Sequence, residues 1–141
     1  MLRTILICVA FVGIPCQAEQ EQVRIAPEKA ISVGNELFKC ALEQGGEVND
    51  LIDQLYSWKI KDEDKAKNFL FCMCTNLGAA NQDGKLVASK ILDLTGDFKT
   101  KDKFVEMIND CNSKATGKDN KSVLFSVAKC YQKNTPAVIT V

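Results

Sequence analysis

The sequence contains no histidine among its 141 residues, and only three prolines and one tryptophan. Without histidine there can be no serine–histidine–aspartate triad, no histidine zinc ligand and no imidazole that titrates between about pH 5 and pH 8. Basic and acidic side chains are equal in number, 18 of each, so the basic excess typical of nucleic-acid-binding proteins is absent. We therefore expect no enzyme, no metal site, no cofactor and no nucleic-acid partner.

Residues 1–18 have the features of a secretory signal peptide. Arg3 provides the positive start, an apolar run extends from Ile5 to Ile14, and Pro15 precedes a small-residue cleavage site that ends at Ala18. The run is too short to span a bilayer, so we expect no stable membrane insertion. The alternative is a retained anchor or a buried helix. We predict cleavage after Ala18, secretion, and a single domain formed by residues 19–141.

Apolar residues recur at helical spacing through most of the remaining chain, whereas strand patterns are sparse. Pro27 suits the start of the first helix, and Gly45-Gly46 suits its end. The pattern predicts an all-α fold of about six short helices. The other five are expected near residues 50–56, 62–77, 86–94, 100–111 and 122–133.

Cysteine is abundant, with seven residues in the chain. Cys8 and Cys16 fall in the predicted leader. In a secreted protein the others are expected to form disulfides, and because their number is odd at least one is free or pairs between molecules. The remaining cysteines are Cys40, Cys72, Cys74, Cys111 and Cys130.

Two of these cysteines, Cys72 and Cys74, share the third predicted helix but point about 200° apart. A helical projection places Cys74 with Leu70 on the apolar face and Cys72 on the polar face. We therefore predict the bridges Cys40–Cys74 and Cys111–Cys130, with Cys72 as a free thiol. The alternative is a Cys40–Cys72 bridge.

The predicted leader, the six helices and the cysteine spacing together resemble the insect odorant-binding proteins. That family typically has six cysteines, with three residues between the second and third and eight between the fifth and sixth. With Cys74 as the third and Cys130 as the sixth, Leu70 and Lys121 occupy the positions of the missing pair. The chain thus resembles the reduced-cysteine ("minus-C") members, and the segment from Leu70 to Cys74, followed by Asp83-Gly84, looks like those of bees.

The resemblance implies a secreted carrier whose helices enclose an apolar cavity for a small hydrophobic ligand, an odorant or semiochemical. It implies a monomer or weak dimer, with a chemosensory receptor as a second partner. The alternatives are a non-olfactory carrier or scavenger on the same fold and a saposin-like lipid-interacting domain. Helical periodicity does not separate a cavity wall from an ordinary core. The candidate cavity-lining residues are Met73, Leu77, Met107, Ile108, Val123, Leu124, Val127 and Val138.

The tail at residues 137–141 is apolar, carries no charged side chain and follows the helix-stopping Pro136. Burying its three large aliphatic side chains would contribute roughly 1.5–3 kcal/mol each. We therefore predict that the tail folds back over the helices and closes one side of the cavity. The alternative is a frayed terminus.

Overall fold

The structure, a computed structural model, describes residues 20–140, so the predicted leader lies outside the described residues. All six predicted helices are confirmed, and two short strands flank them. No helix in the described range has the length and apolar character needed to cross a membrane. In chain order the elements are β1 (Glu21–Arg24), α1 (Pro27–Glu43), α2 (Val48–Ser57), α3 (Glu63–Asn76), α4 (Ala88–Thr95), α5 (Lys101–Ser113), α6 (Asn120–Asn134) and β2 (Ala137–Thr140).

Aspartate side chains begin two of the long helices. Asp62 accepts the N–H of Lys65 at 3.1 Å at the start of α3, and Asp119 accepts the N–H of Ser122 at 2.8 Å at the start of α6. These bonds satisfy amides that have no partner within the helix. The hydrogen bonds from Ser122 also lower the pKa of Asp119. The two caps fix where the central pair of helices begins.

The third helix, α3, is central because it packs against α1 on one side and α6 on the other. The α1 side forms one apolar cluster, in which Leu37 and Phe69 are buried. A second cluster includes Phe104 from α5 and Leu124 and Val127 from α6, all fully buried. The two faces of α3 thus belong to two different clusters, and this placement decides the cysteine pairing.

The disulfides join α1 to α3 and α5 to α6. The Cys111–Cys130 bridge is confirmed, but the predicted Cys40–Cys74 bridge is wrong, because Cys40 pairs with Cys72. Cys72 therefore is not the free thiol; Cys74 is free and buried. The reason is that Cys72 lies on the α1 side of α3, whereas the apolar face that carries Cys74 is directed toward α6.

The predicted fold-back of the tail is confirmed for residues 137–140, which form a strand, whereas Val141 lies outside the described residues. β2 pairs with β1 in parallel, with Glu21 opposite Ala137 and Arg24 opposite Thr140. The carboxylate of Glu21 also accepts the N–H groups of Lys99 and Thr100 at 3.0 and 2.9 Å. The two-stranded sheet is thereby attached to the start of α5.

Candidate ligand-binding cavity

An apolar cavity of about 220 Å³ lies between the helices, with β2 on one side. Five of the six helices contribute to its wall, and none of the described residues of α5 reaches it. Its main lining residues are Val33 and Leu37 from α1, Ile52 and Leu55 from α2, Leu70, Met73 and Cys74 from α3 with Leu77 directly after it, Ile91 and Leu94 from α4, Leu124, Ala128 and Tyr131 from α6, and Ile139 and Thr140 from β2.

Three of the candidate residues, Met73, Leu77 and Leu124, line this cavity. Met73 lies on α3, Leu77 directly follows α3, and Leu124 lies on α6. Their contact with a ligand stays a prediction. These three residues lie where α3 and α6 face the space between the two apolar clusters of the core.

The other five candidates do not line the cavity, and for them the prediction of a wall position is wrong. Met107, Ile108 and Val127 are buried in the core, because α5 packs behind α6 and away from the cavity. Val123 and Val138 are half-buried. In β2 it is Ile139, the neighbour of Val138, that lines the cavity.

The wall from α1 and α2 was not among the candidates. Val33 and Leu37 on α1, and Ile52 and Leu55 on α2, face the cavity. The signal in the sequence is apolar residues at helical spacing, which is the same signal that a solid core produces.

Most polar groups of the wall hold the cavity together. The Tyr56 hydroxyl donates to the carbonyl of Ile139 at 2.6 Å, which fixes β2 to α2. The side-chain amide of Gln132 donates to the carbonyl of Tyr56, which joins α6 to α2. The Thr95 hydroxyl donates to the carbonyl of Gly96 at 3.0 Å. These groups are therefore engaged in closing the wall.

Burial raises the pKa of three titratable groups in the wall, Tyr56, Cys74 and Tyr131. Burial raises the pKa of the Cys74 thiol to about 12, so this cysteine is protonated at neutral pH and a poor nucleophile. Burial also raises the pKa of Tyr131 to about 12, outweighing the opposing effect of the Thr135 hydroxyl. The wall carries no charged side chain among its described residues. The arrangement suits a neutral, apolar ligand.

Trp58 lines the cavity at the end of α2, where its backbone has a left-handed φ of 56°. Its ring packs against Phe125 with a centroid separation of 4.9 Å. The same ring borders a shallow polar groove on the surface that includes Lys67. Trp58 is the single tryptophan of the chain. Its fluorescence therefore reports on the cavity.

The observed bridges change the register of the missing cysteine pair. With Cys72 as the third cysteine, the family spacing places the empty second position at Asn68 and not at Leu70. Lys121, at the empty fifth position, donates to the side-chain oxygen of Asn68 at 2.8 Å. The two residues that stand where the family has a third bridge are thus in direct contact.

No cluster of cysteine or acidic side chains within residues 20–140 is arranged to hold a metal ion. What the structure offers is a cavity and not a coordination site.

Comparisons with known proteins agree with this arrangement. The model of the PBP/GOBP family matches residues 25–134, which include all six helices. The crystal structure of an odorant-binding protein from Locusta migratoria is similar, with a TM-score of 0.59 and 14% identity, over 78% of this chain and 84% of that chain. At this identity the likeness establishes the fold. No curated protein matches in sequence. Because the family match spans well over half of the chain, the protein belongs to the PBP/GOBP family of insect odorant-binding proteins.

Proposed function

We propose that this protein is a secreted carrier that binds one small hydrophobic ligand, an odorant or another semiochemical, in the cavity between its helices. The observation that carries the proposal is the apolar cavity of about 220 Å³ between the helices. An engineered apolar cavity of about 150 Å³ holds one benzene molecule, so by proportion this cavity suits a ligand of about nine non-hydrogen atoms.

The proposal predicts a dependence of affinity on ligand length. Each methylene group transferred from water into an apolar wall contributes about 0.8 kcal/mol, or about a fourfold decrease in Kd. In a cavity of fixed size this gain ends once the apolar space is full. A homologous series of methyl ketones should therefore bind more tightly with each added carbon, up to about nine non-hydrogen atoms, and more weakly beyond that size.

A titration monitored by Trp58 fluorescence tests this dependence. The variant Ala128→Phe places a phenyl ring in the cavity wall and should abolish binding of the longest ligands that fit. The matched control Ala30→Phe adds the same ring to an exposed position on α1 and should leave affinity unchanged. Circular dichroism verifies that both variants are folded.

Three outcomes would contradict the carrier proposal. One is affinity that keeps rising with chain length, as in adsorption to a surface. Another is equal binding by the two phenylalanine variants. The third is binding to liposomes in place of single ligands, which would favour the saposin-like alternative.

Secretion and the reduced-cysteine subgroup belong to the same proposal. Two disulfides support an oxidising compartment. The contact between Asn68 and Lys121 supports a chain that has lost one bridge of the family. The likeness to bee proteins depended on an extra cysteine two residues before the third. With Cys72 as the third, the extra cysteine, Cys74, follows it, so the proposal does not extend to bees. A chemosensory receptor as partner stays a prediction.

A further inference from the structure

The cavity wall contains one hydroxyl that differs from the other polar groups. Tyr56, Thr95 and Gln132 already donate to backbone carbonyls. Trp58 also borders the surface groove, so its ring is shared between the groove and the cavity. Thr140 lies at the end of β2, opposite the exposed Arg24. Among the described residues of the wall, two hydroxyls donate to no protein acceptor, those of Thr140 and Tyr131; Thr140 ends the edge strand, whereas Tyr131 lies on α6 between the helices.

Tyr131 is rigidly placed. Its ring meets the fully buried Phe104 edge to face, with a centroid separation of 5.8 Å and an angle of 89°. The Thr135 hydroxyl is close enough to lower the pKa of Tyr131, and it also donates to the carbonyl of Ala137 and accepts the N–H of that residue. Within residues 20–140, the Tyr131 hydroxyl makes no hydrogen bond of ordinary length and angle, so a ligand oxygen competes only with its contact to Thr135. In these residues, every side-chain oxygen that is sealed from solvent has a hydrogen-bond partner. Because the Tyr131 hydroxyl has no such bond, it is not sealed and reaches open space.

We propose that Tyr131 is a specificity-determining residue, and that its hydroxyl donates a hydrogen bond to the ligand. The ligand class is a neutral, otherwise apolar molecule with one acceptor oxygen, such as a ketone, an aldehyde or an ester. This inference rests on the proposed carrier function and names the ligand class for the same cavity.

The physical basis is the desolvation of the ligand oxygen. A carbonyl that leaves water without a new donor loses its hydrogen bonds, which opposes binding. The Tyr131 hydroxyl restores one of them at a fixed position. A hydrocarbon gains nothing from this hydroxyl. A carboxylate is disfavoured because no cationic side chain lies in the wall to compensate for its desolvation.

The test compares two ligands with the same number of non-hydrogen atoms, an eight-carbon methyl ketone and n-nonane. In the variant Tyr131→Phe, the Kd of the ketone should rise about 2- to 12-fold, the range expected for one neutral hydrogen bond. The Kd of nonane should stay the same or fall. Competition with a fluorescent probe gives both constants.

The matched control is Tyr56→Phe. It also removes a phenol hydroxyl from the wall, but one that holds β2 through the carbonyl of Ile139. It should weaken both ligands by the same factor. Equal weakening of the two ligands by Tyr131→Phe, or no change in either, would overturn the inference and leave the carrier function standing. If the wild-type protein binds neither ligand, the carrier proposal fails, and the inference fails with it.

A measurement on the wild-type protein makes the test independent of how the variant folds. The infrared carbonyl stretch of the bound ketone should lie at lower frequency than in an alkane solvent, because a donated hydrogen bond weakens the C=O bond. A frequency equal to that in the alkane would show that no donor meets the oxygen and would overturn the inference.

Discussion

Restoring the family's third disulfide is the most direct test of the cysteine register. The structure places Asn68 on α3 and Lys121 on α6 in contact, with 2.8 Å between the Lys121 ammonium and the Asn68 oxygen. The double variant Asn68→Cys/Lys121→Cys should therefore form a bridge on oxidation. If Cys74 were the third cysteine, the bridge would form from Leu70 instead.

The size of the effect follows from the loop that the bridge closes. The two positions are 53 residues apart, for which loss of chain entropy in the unfolded state gives about 4 kcal/mol. Strain in engineered bridges commonly reduces this, so we expect the free energy of unfolding to rise by about 2–4 kcal/mol. For a domain of this size that corresponds to a Tm increase of roughly 10 °C. Loss of the exposed Lys121–Asn68 hydrogen bond subtracts little.

The assay combines non-reducing peptide mapping with thermal unfolding. The control Asn68→Ser/Lys121→Ser removes the hydrogen bond without adding a bridge and should melt close to the wild type. The variant Leu70→Cys/Lys121→Cys should keep two free thiols and be destabilised, because Leu70 is buried in the cavity wall while Lys121 is exposed. Free thiols in Asn68→Cys/Lys121→Cys, or a bridge in the Leu70 variant, would refute the register.

Three further outcomes are expected. The Cys74 thiol should resist alkylation at neutral pH until the protein unfolds, because burial raises its pKa to about 12; rapid labelling of folded protein would contradict its position. Burial opposes ionisation of Glu21, but its hydrogen bonds from Thr100 and Lys99 outweigh this and lower its pKa from the ordinary 4.5. The stability it provides is therefore complete above that value and lost as the pH falls through the lowered pKa, so Glu21→Gln should lose less stability than the wild type between about pH 7 and pH 3; equal losses in denaturant unfolding would refute this. Deleting residues 137–141 should raise ligand dissociation rates several-fold, measured by stopped-flow, while the helical circular dichroism signal persists; unchanged rates would show that the tail does not close the cavity.

The six helices could be predicted because their signals are local. Pro27 and the capping residue Asp62 mark helix starts, and apolar spacing marks the buried faces between them. The pairing of β1 with β2 gave no such signal, since four residues are too few to show an alternating pattern and the partner is distant in the sequence. The sequence did show that the apolar tail would be covered, because that depends on composition and not on a partner.

The cysteine error has a specific physical origin. The helical projection placed Cys74 on the apolar face of α3 correctly, and it is buried. The false step was to equate that face with the side toward Cys40. A central helix contacts several neighbours, and α1 lies against the side that carries Cys72. Periodicity indicates how deeply a residue is buried but not which neighbouring helix it meets.

The same limit applies to the cavity. Met73 and Ile108 carry the same periodic signal, but only Met73 lines the open space. A cavity arises from how helices are spaced, which is set by contacts between elements. The sequence does carry one signal for Tyr131, a phenol hydroxyl within an apolar helix stripe, because a hydroxyl at a buried position needs a hydrogen-bond partner from the protein or from a ligand.

The parallel pairing of β1 with β2 also has a consequence for the order of folding. The strands lie at opposite ends of the described chain, so their pairing closes a loop that contains every helix, and it becomes favourable once those helices have assembled. Because neither disulfide restrains this sheet, we expect it to open before the cross-linked helices do. Because β2 forms part of the cavity wall, local opening of a four-residue strand pair exposes the interior while the cross-linked helices remain folded. If the protein is the carrier proposed above, we therefore expect the lifetime of a bound ligand to depend on the free energy of this small sheet and not on the stability of the protein as a whole.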